Sequence, residues 1–285
     1  MLLMIPLLGA LLSGFICGML GYYVQRYGVT TLSFTIAHSA LAGAAISLVL
    51  GFNTTLFTLF FAVASALLIG YLTSKSPIRR ELICMGLFSL LNAVAILMLY
   101  MSSTNVLSTV QLSTILWGSV LAITCEKIIA IVAIAATFLV YAVIFKPQID
   151  AILFDQKLAE AEGVNVKLHS TILLLFVGSA IAIILRITGG FLVFSLLYNP
   201  VASALLLSKR ANIQQLISPI LGSSVAIAGL FASFMYNLPV GASIALLSSV
   251  TLLLSYVSRV TINYMLAQRS VRSKEDIEEA FTVHL

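Results

Sequence analysis

Long, nearly charge-free apolar runs of membrane-spanning length recur from one end of this chain to the other, separated by short connections. A run of about 20 such residues, at about 1.5 Å of rise per helical residue, matches a hydrocarbon layer of about 30 Å. Strands of a membrane barrel would instead alternate apolar and polar residues over segments of about 10. Hydropathy and turn residues together predict about nine spans, at 2–24, 33–51, 55–73, 82–102, 127–145, 168–186, 190–207, 215–236 and 239–260. The fold class is therefore all-α, a polytopic transmembrane helical bundle. With 61% hydrophobic and 9% charged residues, the chain is far from the composition of a soluble domain.

The charges that remain carry the topology. Arg26, the group Lys75, Arg79 and Arg80, then Lys146, Lys157 and Lys167, then Lys209 and Arg210 follow alternate spans, and Arg259, Arg269, Arg272 and Lys274 follow the last. Only Lys127 and Arg186 fall on the other side. The positive-inside rule then places the N-terminus outside and the tail in the cytoplasm of a prokaryotic cell membrane. The segment Asn105 to Thr124, polar at its start, is expected as a short outer-face or re-entrant helix; a full crossing there would reverse the orientation upstream. Residues 1–262 form the permease-like membrane domain and 263–285 an amphipathic cytoplasmic tail. The basic residues track loops, so nothing points to nucleic acid. Met1 to Gln25 carries no charge and is expected as a retained span, not a cleaved signal.

Ionisable groups inside the spans usually mark proton relays or coupling sites. Here only His38 lies well inside a span, with His169 at the edge of another, which argues against a self-powered proton-coupled transporter. No GxxxxGK[ST] loop occurs, so the chain is not expected to hydrolyse ATP. No HExxH, carboxylate pair or nucleophile constellation suggests an enzyme. Cys17, Cys84 and Cys125 are isolated and lack metal or redox spacing.

One polar island interrupts the apolar pattern, at 154–166. Asp155 is a suitable N-cap and Gly163 a suitable residue after the helix end, delimiting about two turns. So short a helix requires packing against something else. Leu158, Ala159 and Glu162 are expected on one face, leaving small side chains for close approach. A cytoplasmic helix of this kind suits docking on a separate protein.

The island resembles the FDPxxAxxxG stretch of the permease subunits of zinc, manganese and iron ABC importers, keeping Phe154, Asp155, Ala159 and Gly163, with Gln156 where proline is usual. QRYGVTTLSFTIAHSALAGAA (Gln25 to Ala45) is similar to the family's GDxLxHAxLxGVA segment, and ILWGSVLAIT (Ile115 to Thr124) to its LFGSxLAVS. TGGFLVFSLLYNPVASALLLSKR (Thr188 to Arg210) resembles VGALLVxxLLIIPAATARLL, and YNLPVGASIAL (Tyr236 to Leu246) resembles YDxPxGPxIVL. The matches are collinear. The resemblance implies two permease copies, identical or different, two ATPase subunits that bind ATP and Mg beneath them, and an extracytoplasmic binding protein above. The permease itself holds no cofactor. Phe154, Asp155, Leu158, Ala159, Glu160, Glu162 and Gly163 become, by the same resemblance, the coupling helix that touches the ATPase.

The resemblance also places His38 where the family carries a metal-ligating histidine, with an aspartate one turn earlier. Here that position is Phe34. A single neutral imidazole cannot replace the water shell of a divalent ion. Asn92, Asn199 and Asn237 offer neutral oxygens along the path, Met85 and Met235 sulfur, and Cys17 or Cys84 a thiolate; Asn237 stands where the family has a second aspartate. Pro200 after Asn199 frees a backbone carbonyl within its span. Two substrate readings stay open: a divalent zinc, manganese or iron ion passing a weak, transient site, or a scaffold turned to a chelated or non-metal cargo. A secondary transporter or channel acting without partners is the reading from another class.

Overall fold

The computed structural model describes residues 4–75, 80–102, 123–188 and 193–282. In chain order the helices are α1 (Met4–Arg26), α2 (Thr30–Leu50), α3 (Thr54–Lys75), α4 (Arg80–Ser102), α5 (Cys125–Ile144), α6 (Lys146–Phe154), α7 (Gln156–Ala161), α8 (Val166–Thr188), α9 (Val193–Leu207), α10 (Ala211–Tyr236) and α11 (Val240–Thr282). Eight helices among the described residues are long and apolar enough to cross a membrane. The seventh expected span, 190–207, corresponds to α9, which at 15 residues is shorter than the other spans. Helices are the expected solution, since each satisfies its own backbone hydrogen bonds where no water can.

Small residues allow close backbone contacts in the bundle. α1 and α10 run antiparallel with Gly14 against Gly222 and Gly18 against Ser218 and Pro219. A Cβ on Gly14 would stand 2.2 Å from the Gly222 carbonyl oxygen, and one on Gly18 would stand 2.4 Å from that of Ser218. Between helices in lipid, where apolar burial supplies little drive, such backbone approach provides the van der Waals contact that holds them. Gly21 extends the same stripe against Leu197 of α9. α2 is central, with residues from Leu32 to Ala45 buried against α3, α4 and α8.

The contacts give each helix a direction. The α1–α2 corner lies beside α7, because the Gln156 amide Nε2 donates to the Tyr27 carbonyl at 2.6 Å. Gly70 near the end of α3 lines the same recess as Gln156 and Glu160. Thr35 near the start of α2 donates to the Cys84 carbonyl near the start of α4, so these helices leave this end together. Gln215 near the start of α10 reaches the Tyr23 hydroxyl. Arg26, Lys146, Lys157, Lys167, Lys209 and Arg210 thus collect at the end that carries the island. Lys127 shares a recess with Asn53 at the opposite end. Most of the expected outer-face segment, Asn105 to Thr124, lies outside the described residues; of it, Ile123 packs against Gly9.

Two further features complete the chain. α6 begins directly after the fifth span, with Pro147 in its first turn, in a stretch to which hydropathy assigned no element. Proline suits that position because its missing amide would have had no intrahelical partner. α11 continues as helix across residue 262, the expected end of the membrane domain, to Thr282.

Candidate functional site

The polar island forms as its sequence dictates. The Asp155 carboxylate accepts from the amides of Lys157 at 2.8 Å and Leu158 at 3.1 Å, capping α7. Gly163 has φ +87°, the left-handed conformation that ends a helix, and the Val164 amide returns to the Ala159 carbonyl at 2.9 Å. The face differs from the expected one. Ala159 is buried, whereas Leu158, Glu160 and Glu162 point outward and Phe154 is 84% exposed. Ala159 lies one residue beyond Leu158 and so about 100° around the helix, which is enough to turn it into the core while its neighbour faces out. Gln156, which stands where proline is usual, supplies a side-chain donor that proline lacks and ties α7 to the α1–α2 corner. Nearby, the Tyr141 hydroxyl pairs with Nδ1 of the buried His169, which also packs against the Phe145 ring.

His38 sits in an aromatic enclosure. Its ring centroid lies 4.6 Å from Phe34, 4.5 Å from Phe88 of α4 and 6.2 Å from Phe194 of α9. Phe34 itself contacts Phe88 at 5.0 Å and Phe194 at 4.9 Å. Nδ1 is 3.0 Å from the Phe34 carbonyl one turn back, which orients the imidazole along its own helix. The position one turn before the histidine thus contributes a phenyl ring and a backbone carbonyl. Phe88 and Phe194 carried no signal in the sequence, because an apolar stripe on a membrane helix looks the same whether it faces lipid, core or a path. Among the described residues no group of three or more His, Cys, Asp or Glu side chains is placed to hold a metal ion.

The other candidates are dispersed. Asn92 on α4 has a buried Oδ1 with no hydrogen-bond partner. Asn199 donates from Nδ2 to Ser248 at 2.8 Å and Ser249 at 3.2 Å, joining α9 to α11. Asn237 is the exposed C-cap of α10 with φ 51°, a conformation asparagine tolerates better than most side chains. Cys17 and Cys84 are buried, and Met85 and Met235 are exposed on the outer surface of the chain.

Behind Phe34 and Phe194 lies a cavity of about 430 Å³. It is bounded by α1, α2, α9 and α11, and its polar groups are neutral: Gln25, Thr30, Ser33, Ser195, Asn199 and Ser249. Tyr198 adds an aromatic wall.

Comparison with known proteins places this architecture. The manganese transport system membrane protein MntC of Listeria monocytogenes is 28% identical over 244 residues, covering 86% of each chain. The manganese import system permease protein ScaB of Streptococcus pneumoniae is 29% identical over 251 residues, covering 88% of each. The solved structure of PsaBC from Streptococcus pneumoniae in complex with Fab shares the fold, with a TM-score of 0.77 and 24% identity over 90% of this chain and 91% of the other. The sequence profile of the ABC 3 transport family matches residues 2–259, nearly the whole bundle, and the chain belongs to that family.

Proposed function

We propose that this chain is the permease subunit of an ATP-driven importer whose cargo contains a divalent transition metal such as manganese, zinc or iron. Family membership over residues 2–259 carries the reading, and relatives named as manganese permeases support the metal. The end that gathers the basic residues faces the cytoplasm, with the N-terminus outside. There the exposed Phe154 and Leu158, flanked by Glu160 and Glu162, form the contact for a separate ATPase that binds ATP and Mg. An extracytoplasmic binding protein delivers cargo, and a second permease copy completes the path.

Force from the ATPase would reach the path through two connections. Capping by Asp155 keeps α7 rigid, and Gln156 passes its displacement to the α1–α2 corner, from which α2 carries Phe34 and His38. The test is ATP-dependent metal uptake by the complex reconstituted in proteoliposomes. Charge reversal at Glu160 and Glu162 is expected to lower uptake at least fivefold and uncouple ATP hydrolysis, with the thermal unfolding of the permease unchanged. Normal coupling in that variant would refute the docking role.

A further inference from the structure

The enclosure around His38 is built from aromatic side chains, and a bare dication has little to bind there. Phe34, Phe88 and Phe194 surround a single imidazole, and no cluster of metal-ligating side chains occurs among the described residues. Stripping water from a divalent ion requires several replacement ligands and a compensating negative charge. Two of these three rings, Phe34 and Phe194, also line the cavity of about 430 Å³. That volume falls within the range of about 300–1,000 Å³ typical of sites for small organic molecules. Among the described residues no charged side chain lines it. The Gln25 amide can donate to ligand oxygen atoms and the Asn199 Oδ1 can accept from a ligand hydroxyl, while Phe34, Phe194 and Tyr198 present rings to flat apolar surfaces.

We infer that the cargo enters this cavity as an electrically neutral, low-mass metal chelate and not as a free ion. In such a complex the organic ligand supplies the coordination and the negative charge that the described lining lacks, so the metal needs no side-chain ligands there. The neutral, partly aromatic outside of the chelate is complementary to a wall of phenyl rings and uncharged polar groups. The inference rests on the proposed importer reading and specifies the chemical form of its cargo.

The test uses the full-length permease in lipid nanodiscs, titrated calorimetrically with bis(maltolato)zinc(II), zinc chloride and maltol alone, with empty nanodiscs as the blank. The chelate is expected to bind saturably and at least tenfold more tightly than zinc chloride or maltol. Ser249→Leu, which fills the cavity mouth from an exposed position, is expected to weaken chelate binding at least fivefold without shifting thermal unfolding; Ala245→Val is the smaller filling variant should Ser249→Leu fold poorly. Zinc chloride binding as tightly as the chelate, or chelate binding unaffected by both variants, overturns the inference. Uptake by the assembled complex separates the two levels. ATP-driven uptake of zinc chloride with no gain from chelation overturns the chelate alone, whereas ATP-independent uptake of both forms overturns the importer reading.

Discussion

Replacing Gly222 by alanine tests the packing of the bundle at one of its tightest contacts. The added methyl would lie 2.2 Å from the Gly14 carbonyl oxygen and 3.0 Å from its carbon. Ordinary contact needs about 3.5 Å, so α1 and α10 must part locally by more than about 1 Å. The obstacle is backbone on both sides, and no rotamer change can absorb it. Overpacking costs about 1–3 kcal/mol in general, and a clash of two backbones belongs at the upper end. A separation of about 1 Å forfeits up to half of each affected dispersion contact, which in lipid is the main attraction between helices. At about 2–4 °C per kcal/mol for a chain of this size, a loss of about 3 kcal/mol lowers the midpoint of thermal unfolding by about 6–12 °C. The measurement is thermal unfolding in detergent or nanodiscs, followed by tryptophan-independent size-exclusion recovery. Gly86→Ala is the control, since nothing lies within 4 Å of its added methyl. That variant should be neutral or slightly stabilising, by up to about 1 kcal/mol. Gly14→Ala meets the same contact from the other side, so the double variant should cost clearly less than the sum of the two single ones. Wild-type unfolding of Gly222→Ala, or full additivity with Gly14→Ala, would refute the close helix contact.

Three further outcomes are expected. Gln156→Ala leaves the Tyr27 carbonyl without its donor, costing about 1–3 kcal/mol locally, and hydrogen exchange across 25–30 and 156–161 should accelerate; unchanged exchange would show the link to be dispensable. Asn92→Leu removes a buried oxygen that has no partner, so thermal stability should stay level or rise by about 1 kcal/mol, and a clear loss would mean that Asn92 makes a stabilising interaction. Phe34→Asp restores a carboxylate one turn from His38 on the same helix face, and manganese(II) affinity measured by electron paramagnetic resonance should rise at least tenfold; no gain would separate the aromatic ring from the choice of cargo form.

The membrane bundle and the island were legible in the primary structure for different physical reasons. Lipid admits helices whose backbones satisfy themselves, so runs of apolar residues of spanning length read directly as spans. Asp155 and Gly163 act through their own backbone surroundings, one accepting nearby amides and the other adopting φ +87°, so their roles survive without knowledge of the tertiary fold. The resemblance of five collinear segments likewise led to the family that the profile over residues 2–259 shows.

What surrounds each residue was decided only in three dimensions. α6 was missed because nine residues after a span offer too little periodicity to tell a helix from a loop. Ala159 turned inward and Leu158 outward because the placement of α7 against the bundle chooses its face, which six residues cannot do alone. The sequence showed that residue 34 is not aspartate, yet that Phe88 and Phe194 come from two other helices to close on Phe34 and His38 is a fact of packing. Local rules of capping and hydropathy act over a few residues and are written along the chain. The enclosure around His38 and the cavity behind it depend on contacts across more than a hundred residues, and these exist only once the helices are assembled.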